Sequence, residues 1–223
     1  MNDIDPAWLE PTWFLDTESP EVEAYTAAAV GESTDATEMA IKLFYAVRDG
    51  LRYDPYGTDR EPESYRASVI CRAETAWCVP KSVLLTAAAR NRGIPARLGF
   101  ADVKNHLTSE KLRASMGTDV FAWHGYSELF LRGRWFKLST AFNIELCERF
   151  GTKALEFDGT DDALMHSFDE SGNRHMEYVK QRGSFDDLPL DMIFASFAEI
   201  YPAMGFDGAG AAAAGDEAFD SRR

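Results

Sequence analysis

Cysteine is scarce in this chain, with three in 223 residues: Cys71, Cys78 and Cys147. An odd number without Cys-x-x-Cys spacing excludes a disulfide-built scaffold and fits free thiols in a reducing compartment. Histidine is nearly as rare, and the four residues at 106, 124, 166 and 175 form no short Cys/His cluster, so no structural zinc site is expected. Basic charge is outweighed, with 23 Lys and Arg against 37 Asp and Glu and a formal charge of -14 at pH 7. That balance argues against general binding to a nucleic-acid backbone. No apolar run is long enough to cross a bilayer, and the opening MNDIDPAWLEPTWFLDTESP lacks the basic region and apolar core of a secretory leader. The expectation is a cytoplasmic protein with neither a membrane nor a nucleic-acid partner.

The length allows one well-buried core. A single domain over 1–205 is expected, followed by a Gly- and Ala-rich tail, 206–223, with few anchors and an expectation of disorder. DATEMAIKLFYAVRDG reads as a helix capped by Asp35, with Glu38 at the capping-box position and Ala40, Leu43, Phe44 and Val47 on one face. A second helix over 79–92 carries Val83, Leu84, Ala87 and Ala88. IPARLGFADV predicts a strand, with Ala96, Leu98 and Phe100 on one face. Residues 104–118 lose periodicity and read as a surface loop near the site. Strands over 121–131 and 135–138 flank Arg132-Gly133-Arg134, a hairpin turn that puts His124 on an internal antiparallel strand. ALEFDGTDDALMHSFDESGNRHMEYV carries repeated turn signals and reads as irregular, and a last helix starts near Pro189 with Ile193, Phe197 and Ile200 inward.

Cys78 directly precedes Val79-Pro80, and proline in a first turn fits a helix beginning there. Unpaired N–H groups at such a start favour thiolate and can receive the oxygen of a tetrahedral intermediate. If His124 meets Cys78, the chain has a nucleophile and its base, which points to thiol-dependent acyl transfer or hydrolysis. Trp77 and Trp123 each neighbour one of the pair and are candidates for the walls of a substrate slot. Each residue also has a plainer reading, Cys78 as a small buried hydrophobe and His124 as a core histidine bonded to a carbonyl. His106, His166 and His175 lie in polar or turn-rich sequence and read as surface residues.

The ordered combination of AWCVPKSVLLTAAARNRGIPARLGF and WHGYSELFLRGRWFKLS resembles the core of the transglutaminase-like superfamily, with the resemblance running over 36–145. It implies an α+β, papain-like cysteine protease fold in which a helix carrying Cys78 packs on an antiparallel sheet carrying His124. The chemistry expected of the pair requires no cofactor and no metal. The family's third member is an Asp in a W-x-x-x-D-P context; aligned on Trp135, that position is Ser139, followed by Thr140-Ala141. A neutral hydroxyl can orient an imidazole but cannot offset its charge. Asn143 would give a Cys-His-Asn form, and Asp158 or Asp119 are carboxylates that the fold can bring near. The expected reaction is cleavage of an amide or ester through a Cys thioester, of peptidase, amidase or transglutaminase type. Its substrate would be a peptide, a protein or a small amide or ester, with water or an amine as acceptor. The competing expectation, favoured by Ser139, is a binding module that keeps the fold and has lost activity.

Overall fold

Two long helices and a four-stranded antiparallel sheet position the parts that matter. The computed structural model describes residues 4–106, 110–164 and 176–204; the expected tail at 206–223, His166 and His175 lie outside them. In chain order the elements are α1 (Pro20–Val30), α2 (Ala36–Gly50), β1 (Arg52–Tyr53), α3 (Ala67–Ile70), β2 (Thr75–Ala76), α4 (Cys78–Asn91) and β3 (Ala96–Asn105). Then come α5 (Glu110–Met116), β4 (Val120–Leu131), β5 (Arg134–Leu138), α6 (Ile144–Phe150), β6 (Met176–Phe185) and α7 (Leu190–Ile200).

The helix starts follow local chemistry. Ser19 caps α1 by accepting from the Val22 N–H, with Pro20 at its first position. Asp35 caps α2 in the same way through the Glu38 N–H, and Ala40, Leu43, Phe44 and Val47 are buried on one face. α4 is different: nearly every side chain along it is buried, so it is a central helix wrapped on all sides. Lys81 is buried completely, and its Nζ donates to the carbonyls of Arg48 at 2.8 Å and Leu51 at 2.6 Å. The end of α2 and the start of α4 are thereby tied together.

The main sheet runs β5-β4-β3-β6, all antiparallel, so β4 is internal. Arg132 and Gly133 both have positive φ, as the two-residue turn between β4 and β5 requires. α4 lies against β3 and β4. Thr86 Oγ1 donates to Ser127 Oγ, which donates in turn to the Ser82 carbonyl, so the helix and sheet are fixed by polar bonds within an apolar contact.

Three elements differ from the sequence reading. α1 fills part of the acidic start. Residues 110–116 form a helix where a loop was expected, held by Leu112 and Met116, which are buried one turn apart. Residues 176–185 form edge strand β6, which begins inside the stretch to 179 expected as irregular chain, pairing with β3 while most of its side chains face water. Among the described residues no helix is long and apolar enough to cross a membrane.

Candidate active site

Cys78 is the first residue of α4. Its N-cap residue, Trp77, provides no side-chain cap, so the leading N–H groups have no capping partner of that kind. Burial pushes the Cys78 thiol up to about 11, against the pull of the backbone N–H groups of Gly125, Val79 and Cys78 itself and of the Lys81 charge. The helix start alone predicts a thiolate; the structure reverses that, because removal from water outweighs the nearby dipoles.

His124 lies on β4 immediately after an irregularity in the sheet. Ala101 pairs with His124 and Val103 with Phe121, so Ala122 and Trp123 together face Asp102. Trp123 has φ +57, a left-handed conformation uncommon for a bulky residue. Asp102, buried to 7 % exposure, accepts the Trp123 N–H at 3.0 Å. Arg182 of β6 grips the same carboxylate through Nε and a terminal nitrogen, both at 2.8 Å. This clamp is a bulge of the kind that re-aims side chains in sheets. An acidic residue inside an otherwise apolar strand pattern was the signal for it in the sequence.

Gly125, next along, sits under the first turn of α4. A Cβ there would meet Ser82 Oγ at 2.8 Å, Val79 Cα at 3.1 Å and the Cys78 carbonyl at 3.3 Å. The absence of a side chain is what lets the strand bearing His124 approach the helix bearing Cys78 this closely.

Cys78 and His124 line one cavity. Its walls include Tyr53 and Trp77 from the approach to α4, Leu112 and Met116 from α5, and Phe197 and Tyr201 from the C-terminal end. Burial pulls the His124 imidazole down to about 4, so in this closed site the ring is neutral at pH 7. Among the described residues, the hydrogen-bond partner of the His124 side chain is Ser139, whose Oγ lies 3.3 Å from Nε2. Ser139 itself is buried, its N–H donating to the Ala163 carbonyl.

The other residues singled out in the sequence lie elsewhere. Asn143, expected as an alternative orienting group, has both ends of its amide engaged: Oδ1 accepts the Tyr53 N–H at 3.0 Å and Nδ2 donates to Glu145 at 2.6 Å. Asp158 is exposed and bonds Thr160, and Asp119 pairs with Lys104 at 2.8 Å. The Trp123 ring is absent from the cavity wall, because neighbours on a strand point to opposite sides. It packs on Phe100 and Phe185 under the Arg182 guanidinium. Trp77 does line the cavity. His106, just past the end of β3, lies 3.5 Å from Glu177. Leu112, Met116 and Tyr201 were not foreseen as site residues, since nothing local marks residues gathered from two distant segments, α5 and the end of α7.

The family described as the transglutaminase-like superfamily matches residues 23–140, just over half of the chain. The chain belongs to this superfamily. The match takes in Cys78, His124 and Ser139. Among solved structures, the chain is similar to one from Cytophaga hutchinsonii described as a "Putative Cysteine Protease". The two are 15% identical with a TM-score of 0.46, over 63% of this chain and 42% of that one. This transglutaminase-like chain thus spans less than half the length of that protein. No curated protein matches it. Among the described residues, no group of three or more His, Cys, Asp or Glu is placed to hold a metal ion.

Proposed function

We propose that this chain performs thiol-dependent acyl transfer or hydrolysis, with Cys78 as nucleophile, His124 as general base and acid, and Ser139 as the group that orients the ring. The observation that carries this reading is the shared cavity: the residue opening α4 and an imidazole bonded through Nε2 to Ser139 line the same apolar recess. With Ser139 Oγ accepting from Nε2–H, the Nδ1 lone pair is left for the thiol, the tautomer that a base needs.

A thiol with its pKa at about 11 beside an imidazole near 4 is not a preformed ion pair. Attack is therefore coupled to proton movement. As Sγ bonds the carbonyl carbon, its proton passes to His124 Nδ1, and the negative oxygen faces the N–H groups around the start of α4. Collapse breaks the C–N or C–O bond, and the imidazolium returns the proton to the departing amine or alcohol, leaving a thioester. Water or an amine then attacks the thioester, giving its proton to His124 as Sγ leaves and recovers one.

Ser139 in place of a carboxylate favours a second reading, a binding module that has lost catalysis, because a neutral hydroxyl does not offset the imidazolium. The two are separated by incubating the protein with activated esters and amides and locating acyl adducts by mass spectrometry. The catalytic reading expects an adduct on Cys78 whose formation falls at least tenfold in His124→Ala and vanishes in Cys78→Ala. Turnover-free binding with no adduct on Cys78 supports the module instead.

A further inference from the structure

We propose that the cavity over Cys78 takes an uncharged, apolar acyl group, aromatic or branched aliphatic, as the donor half of the reaction; this rests on the reading of Cys78 as nucleophile. Among the described residues, no Asp, Glu, Lys or Arg lines the cavity. Tyr53, Trp77, Phe197 and Tyr201 bring rings to its wall, and Leu112 and Met116 face it from α5. The Tyr201 hydroxyl is already engaged, accepting the Ala122 N–H and donating to the Val120 carbonyl, which leaves that ring as apolar surface. A carboxylate or ammonium placed there would be stripped of water with no counter-charge. Asp102, a buried acid of β3, is spent on Arg182 and the Trp123 N–H.

The test uses p-nitrophenyl esters of acetic, 3-methylbutanoic, phenylacetic and monosuccinic acids, following nitrophenol release and the mass added at Cys78. Each buried CH2 is worth roughly fourfold, so 3-methylbutanoyl and phenylacetyl are expected to acylate Cys78 at least tenfold faster than acetyl, with succinyl slowest. Leu112→Lys, which places a charge on the wall, is expected to narrow the gap between succinyl and phenylacetyl. Equal rates for acetyl and phenylacetyl, or succinyl as fast as either, overturn the assignment and leave the nucleophile standing. Binding of phenylacetamide against phenylacetate to Cys78→Ala, measured by calorimetry, reads the cavity without the thiol. Tighter binding of the amide with no ester adduct on wild-type Cys78 would keep the ligand class and remove the nucleophile, whereas tighter binding of the phenylacetate anion overturns the class.

The bulge carries a second inference independently. We infer that Asp102 and Arg182 are positioning residues for His124. Trp123 holds a left-handed backbone one residue before the imidazole, and the Asp102 carboxylate, gripped by Arg182, accepts the N–H of that same residue. Without this acceptor, Trp123 can relax toward ordinary strand geometry, and a regular register would turn the His124 ring from its present direction. Asp102→Ala is expected to lower kcat for ester acylation at least tenfold with KM within twofold, and to alter the His124 ring nitrogen signals in NMR. Asp102→Asn, which keeps an acceptor for the Trp123 N–H, should recover much of the loss. Arg182→Gln supplies the same readouts if Asp102→Ala does not fold. Lower stability with kcat and the His124 spectrum unchanged in these variants would assign the clamp to folding alone and overturn the inference.

Discussion

Replacing Gly125 with alanine tests whether the close approach of β4 to α4 builds the site. The added methyl meets Ser82 Oγ at 2.8 Å, Val79 Cα at 3.1 Å and the Cys78 carbonyl at 3.3 Å. Two of these atoms belong to backbone in the first turn of a buried helix. The third is a hydroxyl already bonded to the Val79 carbonyl at 2.7 Å. The hydroxyl can rotate away only by giving up that bond and the two backbone atoms must shift with the turn that carries Cys78, and overpacking of this kind costs about 1–3 kcal/mol. Removal of a glycine from the unfolded chain returns about 0.4–1 kcal/mol, so a net loss of up to about 2.6 kcal/mol is expected. In a protein of this size that lowers Tm by about 2–4 °C per kcal/mol. The assay is urea unfolding combined with the rate of Cys78 alkylation, located by mass spectrometry to separate it from Cys71 and Cys147. Alanine should shift the Cys78 rate several-fold, because the Gly125 N–H that favours its thiolate moves with the strand. Gly93→Ala serves as a control: φ is +72 there and nothing lies within 4 Å of the added atom, so it brings backbone strain without touching the site. An unaltered Cys78 rate in Gly125→Ala together with stability above that of wild type would refute the reasoning, since overpacking of about 1–3 kcal/mol is at least as large as the about 0.4–1 kcal/mol returned by removing the glycine.

The His124 ring, folded near 4 against an ordinary 6.5, stays neutral where the unfolded chain takes up a proton. Stability should therefore fall as pH drops from 6.5 through 4, by on the order of 3 kcal/mol from this group, and His124→Gln should flatten that part of the urea-unfolding profile relative to wild type. Ser139→Asp restores a carboxylate 15 residues after His124, beside Nε2; the imidazole pKa read by NMR should rise above that of wild type, with faster acylation of Cys78, and Ser139→Ala should do neither. Lys81→Met leaves the Arg48 and Leu51 carbonyls without their Nζ donor, a loss of about 1–3 kcal/mol for each buried group, measurable by urea unfolding.

The central part of the fold was legible because it obeys one period at a time. α2 shows a 3.6-residue stripe with a capping aspartate, β3 alternates after Pro95, and Arg132-Gly133 supplies the turn that places His124 inside the sheet. The parts that escaped have weak local signals. α1 buries Val22, Thr26 and Val30 alone, a stripe one residue wide. α5 has two apolar anchors, and β6 is an edge strand whose polar side chains face water, so its place depends on pairing with β3 rather than on its own pattern. The Cys78 and His124 neighbourhoods could be read from helix start and hairpin. The role of Ser139 came only from alignment on Trp135, and the spatial result, an oxygen 3.3 Å from the ring, needed the β4-β5 register. Trp123 was misplaced because the bulge and the strand's alternation act together to turn its ring toward Phe100.

A sulfur kept as SH beneath an aromatic wall has a consequence outside catalysis. Peroxide and other soluble oxidants attack the thiolate, so a buried Cys78 held at about 11 presents little of the reactive form at neutral pH. The same burial that forces proton transfer to accompany attack thus preserves the group from sulfenic and sulfinic damage, and confines its chemistry to molecules that enter the recess and stay.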